Sequence, residues 1–145
     1  MALQEIDVST HSKAPPQRVW ALLADARSWP RWAPFDQAMV EEGDGLGELR
    51  KFQAGRRTTR ERVTAFEPPR HLGYELVSGI PIRDYHADVT LTPGSEGTEI
   101  RWRSQFRAKI PGTGALARRQ LERFIEATAK GLAREAEISP PAGTP

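Results

Sequence analysis

Three of the four tryptophans, Trp20, Trp29 and Trp32, fall within the stretch from Ala14 to Trp32, directly behind an alternating strand. Pro15-Pro16 opens that stretch, and proline in a first helical turn forfeits no intrahelical donor. Val19, Trp20, Leu22 and Leu23 follow at helical spacing. Ser28-Trp29-Pro30 ends the run, and Pro34 keeps any second helical turn, expected near Trp29 to Ala33, short. A short helix with this much aromatic bulk needs a broad concave surface to bury it. The pattern therefore predicts a curved sheet with a hollow, and function is to be sought in that hollow.

The other elements supply such a sheet. Leu3 to Ser12 alternates, with Ile6, Val8 and Thr10 on one face and Asp7, Ser9 and His11 on the other, as in a half-buried strand. From Gln37 to Phe106 the signals are those of an antiparallel meander. Gly43-Asp44-Gly45 predicts a tight turn between strands near 37–42 and 46–53, and Gly55 marks the reversal into a strand over about 57–66. Glu67-Pro68-Pro69 breaks that strand, and Leu72, Tyr74 and Leu76 alternate along the next. Gly79-Ile80-Pro81 leads to Tyr85, Ala87, Val89 and Leu91, and a turn over Pro93 to Gly97 leads to Ile100, Trp102, Ser104 and Phe106. After Pro111-Gly112-Thr113-Gly114 the period changes. Ala117, Leu121, Phe124, Ile125, Thr128 and Leu132 recur every three or four residues, the stripe of an amphipathic helix of about six turns. The proline-rich end, 138–145, reads as a disordered tail beyond a single domain of residues 1–137.

Composition narrows the possibilities. A chain of 145 residues with 38% hydrophobic content suits one domain. The absence of cysteine excludes disulfides, thiol nucleophiles and thiolate metal sites. No signal peptide is visible at Met1 to Asp7, and no apolar run approaches the roughly 18 residues of a membrane span, so a cytoplasmic protein is expected. The net charge is only +2, although Arg56, Arg57, Arg60 and Arg62 cluster. Interspersed Glu61 and Glu67 make that cluster a solvated hairpin edge rather than a nucleic-acid surface.

One strand, two short helices, a six-strand meander and a long final helix leave few packings, because the apolar face of a single sheet must be covered. The expectation is an α+β fold in which a seven-stranded antiparallel sheet curves around the C-terminal helix. The residues also carry a resemblance. The pattern A-P-P-x-x-V-W-x-x-L-x-D-x-x-x-W-P-x-W at Ala14 to Trp32 is similar to that of the SRPBCC, or START-like, helix-grip superfamily. Arg62-Val63 through Phe66-Glu67-Pro68-Pro69, Leu72-Gly73-Tyr74 and the long last helix extend the likeness, which is strongest toward the polyketide cyclase/dehydrase-like branch. It spans about residues 3 to 136 and implies a hydrophobic cavity. The superfamily includes aromatases and cyclases, lipid and hormone carriers and pollen-allergen-like binders, so it implies no one mechanism.

Strand parity names a cavity lining. Val63 and Ala65 inward place Thr59 and Glu61 inward too, and the same rule selects Leu72, Tyr74, Leu76, Tyr85, Ala87, Trp102, Ser104 and Phe106. Leu121, Phe124, Ile125 and Thr128 would form the roof, and Trp29 and Trp32 could stack on a ligand, with Trp29 expected rather to pack between the short helices and the sheet. Glu61 is the sharpest candidate, since a carboxyl on an apolar wall has a raised pKa and can act as acid or base. Against this stands a place at the open end, paired with Arg83 or another arginine. Tyr74 and Tyr85 could orient a carbonyl or phenol. His11, His71 and His86 lack metal-site spacing, Gly43 to Gly47 lacks the marks of a phosphate loop, and neither metal nor cofactor is expected. Gly79 to Ile82 and Pro111 to Gly114 are candidate lids.

The sequence thus predicts a binder of a small hydrophobic or aromatic molecule, lipid- or polyketide-like. The alternatives are a cyclase or aromatase working through Glu61, Tyr74 or Tyr85, and a protein- or RNA-interaction module using the arginine-rich outer face. No nucleic acid is expected as partner, and a homodimer is left open.

Overall fold

The computed structural model describes residues 2–138. Its elements run β1 (Leu3–Ser12), α1 (Pro16–Ala24), a 3-10 helix (Ala26–Arg31), β2 (Gln37–Glu42), β3 (Leu49–Ala54), β4 (Arg57–Glu67), β5 (His71–Ser78), β6 (Ile82–Gly94), β7 (Gly97–Ala108) and α2 (Gly114–Ile138). Strands β2 to β7 form the meander and β1 adds beside β7, giving one seven-stranded antiparallel sheet ordered β1-β7-β6-β5-β4-β3-β2. This is the expected α+β, helix-grip arrangement.

Several boundaries differ from expectation for identifiable reasons. The β2–β3 connection spans 43–48 rather than a tight turn at Gly43-Asp44-Gly45, with Gly43, Gly45 and Gly47 all at positive φ. The β6–β7 turn is shorter than Pro93 to Gly97, because both strands run on until only Ser95 and Glu96 separate them. The second short helix starts at Ala26, where the Asp25 side chain accepts from the Arg27 N–H, and it contains Pro30. Its 3-10 bonding leaves the missing proline donor less damaging than an α-helical interior would. Helix α2 is 25 residues long, about seven turns. Of the tail expected over 138–145, Ile138 closes α2 and the others lie outside the described residues.

The end of α1 is held by side chains rather than by a cap residue. Ser28 Oγ donates to the Leu22 carbonyl (2.7 Å) and Trp29 Nε1 to that of Leu23 (3.2 Å). Arg50, on β3, donates to the carbonyls of Leu23 (3.1 Å) and Ala24 (2.7 Å), and its Nε to Glu48 Oε1 (2.6 Å). Helix C-terminal carbonyls need partners when buried, and here a single guanidinium reaches across from the sheet to supply two of them.

Helix α2 packs unevenly along its length. From Ile125 to Ala136 the buried positions are Ile125, Thr128, Ala129, Gly131, Leu132, Ala133 and Ala136, mostly small. Small side chains allow close approach: Ser12 Oγ on β1 donates to the Ala133 carbonyl at 2.8 Å. A Cβ at Gly131 would stand 1.8 Å from the Trp32 carbonyl oxygen. Toward its start α2 has no fully buried residue; Ala117, Leu121 and Phe124 are half-buried and Leu116 is 60% exposed. One end of the helix is pinned to the core, and the other is a roof over open space.

Candidate functional site

That open space is a cavity of about 500 Å³ between the sheet and the first half of α2, within the range typical of small-molecule sites. Its floor comes from β4 to β7 and its roof from Leu121, Phe124, Ile125 and Thr128 of α2. Trp29 and Phe35, from the segment linking α1 to β2, close one wall.

Parity selects much of this lining. Thr59 and Glu61 on β4, Tyr74 on β5, Tyr85 on β6 and Trp102 and Phe106 on β7 all border the cavity. Leu72, fully buried in the core, and four other candidates do not. Ala87 and Ser104 are buried on the inward face but covered by neighbouring side chains, and Leu76, opposite Glu61, packs at the margin of the core. Trp32 is a packing residue: its ring lies 4.7 Å from that of Trp29 and its Nε1 donates to Ser28 Oγ at 3.1 Å. Parity identifies a face and cannot tell whether the space above it is filled.

Bulges also redirect side chains. Thr64 is an extra residue on β4, so Ala65 pairs with Gly73 and turns outward, while Phe66 takes the inner face and meets Trp20 edge-on at 5.1 Å. Between Arg83 and His86 the β6 register shifts, with Asp84 at φ 53. The result turns both Ile82 and Tyr85 inward and leaves Arg83 exposed. Arg83 is therefore not the partner of Glu61. Bulges commonly re-aim a side chain beside a site in this way.

The polar groups gather in one corner. Trp102 Nε1 donates to the Tyr74 hydroxyl at 3.0 Å, and Tyr74 in turn shares a hydrogen bond with Tyr85. Their ring centroids are 6.2 Å apart. Burial is the main cause holding both phenols well above their ordinary pKa, so both stay neutral. Glu61 stands opposite Arg50 in the β3–β4 register. Burial pushes its carboxyl up to about 8, and the Arg50 charge opposes that shift only in part; the Arg50 guanidinium hydrogen-bonds instead to Glu48 and the α1 carbonyls. Ser104 Oγ is buried without a well-formed hydrogen bond, although it lies close enough to Tyr85 to favour the phenolate slightly.

The mouth is apolar. Ile80 and Pro81 from the β5–β6 loop, Ile110 and Thr113 from the β7–α2 loop, and Leu116 from the first turn of α2 surround it, with Arg57 at its edge. Both candidate lids thus reach the opening. The first is anchored at Gly79, where a Cβ would stand 2.2 Å from the Thr58 carbonyl oxygen. Alternation could not reveal these loop residues; Arg50 was also missed, although it shares the inward parity of Phe52 and Glu48.

The outer surface differs. Arg60 pairs with Glu41 at 2.7 Å and Arg62 with Glu42 at 3.5 Å, so half of the arginine cluster is matched by acidic side chains of β2. His11 and His86 are exposed on this outer side, and His71 sits between Glu67 and Asp88 at 2.6 Å from each. Among the described residues no group of His, Asp and Glu gathers as a metal site, and no helix is long and apolar enough to cross a membrane.

A family model described as "Polyketide cyclase / dehydrase and lipid transport" matches residues 4–137. The chain belongs to this family. The structure of an uncharacterised protein from Bacillus thuringiensis is similar to this family member, with a TM-score of 0.80 at 19% identity, covering 94% of this chain and 100% of that one. The Zhui aromatase/cyclase from Streptomyces sp. R1128 superimposes with a TM-score of 0.79 at 18% identity, over 99% and 100% of the two chains. Ara h 8.0201 does so with a TM-score of 0.75 at 14% identity, over 93% and 98%. At such identities these likenesses establish the fold shared by the family. No curated protein matches the sequence.

Proposed function

We propose that this protein holds a small apolar or aromatic molecule, of lipid or polyketide type, in the cavity beneath α2. The observation that carries the reading is the cavity itself: about 500 Å³ with aromatic walls and an apolar mouth. The walls supply affinity through buried apolar area, and the Glu61–Tyr74–Tyr85 corner supplies orientation. Native mass spectrometry of protein purified from its own cells should find a retained small molecule. A Leu121→Trp variant, which fills the space from the roof, should fold normally and lose both that molecule and uptake of a hydrophobic fluorophore. Undiminished uptake in that variant would place binding elsewhere.

A second reading is favoured by the state of Glu61. A carboxyl facing the cavity and still protonated near neutral pH suits an acid or base acting on activated carbons of a poly-ketone chain. In that case Glu61→Gln abolishes turnover while binding of a neutral apolar ligand persists. Turnover that survives the substitution removes Glu61 from the chemistry.

A further inference from the structure

The corner formed by Glu61, Tyr74, Tyr85 and Trp102 has a one-sided hydrogen-bond balance. Trp102 Nε1–H gives its hydrogen to Tyr74. Tyr74 and Tyr85 share a further hydrogen bond, and a chain polarised by the Trp102 donor runs most favourably onward from Tyr74 to Tyr85. The Tyr85 hydrogen is thereby spent on neither Tyr74 nor Trp102 and faces the cavity it lines, with Ser104 Oγ as a neighbouring acceptor. Glu61 lines the same cavity, and none of the forces acting on its carboxyl is a hydrogen bond.

The surroundings determine what this corner can accept. Across the strand pair Glu61 faces Arg50, whose positive charge it feels without a direct bond. From β5 and β6 it faces neutral phenols, and β7 adds only Trp102, Ser104 and Phe106 on that face. The lining side chains of α2 carry no charge, and Arg57 stands at the mouth. An ammonium group entering here would have to ionise Glu61 against its burial and would meet the field of Arg50. An electron-rich oxygen would meet a neutral carboxyl and a neutral phenol that both border open space, with the Arg50 cation behind Glu61. A carboxylic acid kept neutral by an apolar site can donate at neutral pH.

We propose that Glu61 and Tyr85, backed by Tyr74 and Trp102, form a paired donor site that seats a carbonyl or phenol oxygen of an otherwise apolar, planar guest. In this arrangement Glu61 acts as a hydrogen-bond donor rather than as a carboxylate. The inference rests on the reading of the cavity as a binding site and adds the chemical class of the group it selects.

Three probes of similar size test it on the full chain by calorimetric titration: 2-acetylnaphthalene, 2-methylnaphthalene and 2-naphthylmethylammonium. At pH 6.5 the ketone should bind about tenfold tighter than the hydrocarbon, and the ammonium most weakly. The ketone's advantage should shrink at pH 9, where Glu61 has lost its proton. Glu61→Gln, which keeps a neutral N–H donor, should retain the preference and lose its pH dependence. Glu61→Leu should abolish the preference while leaving 2-methylnaphthalene binding in place, and Tyr85→Phe should weaken the ketone alone, so the test does not depend on one variant folding. Tightest binding of the ammonium, lost in Glu61→Gln, would overturn the proposal, as would equal binding of ketone and hydrocarbon by the unmodified protein. Failure of all three probes to bind would instead overturn the cavity reading, and the donor site with it.

Discussion

Arg50 and Glu61 face each other across β3 and β4 and meet burial in opposite ways. Arg50, only 2% exposed, satisfies its guanidinium with Glu48 and two carbonyls at the end of α1. Removing it should leave those groups buried and unpaired. Arg50→Met is expected to cost about 3–5 kcal/mol in denaturant unfolding, and the double change with Glu48→Leu should recover part of that. A loss below about 1 kcal/mol would show that the clamp contributes little. Glu61 lacks such partners and keeps its proton instead. Between pH 4.5 and about 8 the unfolded chain releases a proton that the native state retains, so stability falls as pH rises through that window. Glu61→Gln should therefore raise the melting temperature more at pH 7.5 than at pH 4.5; an equal shift at both would refute the buried acid. Parity alone indicated Glu61. It could equally have indicated Arg50, since Phe52 inward places Arg50 on the same apolar face, but the arginines at 56–62 were the more conspicuous cluster.

At the scale of elements, the cavity exists because α2 is built in two halves. Alanines and Gly131 draw its second half onto β1, α1 and the Trp32 carbonyl, while Leu121 and Phe124 roof the cavity from the first half. Gly131→Ala tests this directly. In an isolated helix the change should stabilise by up to about 1 kcal/mol. Here the added methyl meets the Trp32 carbonyl, so a loss of about 1–3 kcal/mol or more is expected from overpacking. A gain would mean that the helix can lift away without cost. The helical period was plain in the sequence, whereas the graded size of its buried residues acquires meaning only once the surface beneath is known. Strands show the same limit. Alternation located β4, β5 and β6, but the extra residues at Thr64 and around Asp84 reverse parity within a strand, and nothing in the alternation marks them.

At the scale of the whole molecule, titrating groups distribute stability unevenly over pH. Asp7 is held low chiefly by its hydrogen bond to Arg101, and Glu41 by that to Arg60, so their contributions are present above the ordinary carboxylate range and fade on acidification. Burial tends to lower the pKa of His71, but Glu67 and Asp88 outweigh it and raise the value. Its contribution is therefore complete below about 6.5 and lost as pH rises through the raised value. Glu61 acts in the same direction. The melting temperature should accordingly peak near pH 5–6, an approximate window set by these opposing groups. His71→Gln should flatten the decline above about pH 6.5, and a profile still rising through pH 8 would contradict the assignment. The order of elements, the curved sheet with its long helix and the inward faces of the strands outside the bulges followed from sequence, because periodicity and turn chemistry are local properties of the chain. The cavity, the clamp by Arg50 and the convergence of Glu61 with Tyr74 and Tyr85 were decided only in three dimensions. They depend on how far α2 stands from the sheet and on where the bulges fall, and both are set by contacts between residues distant along the chain.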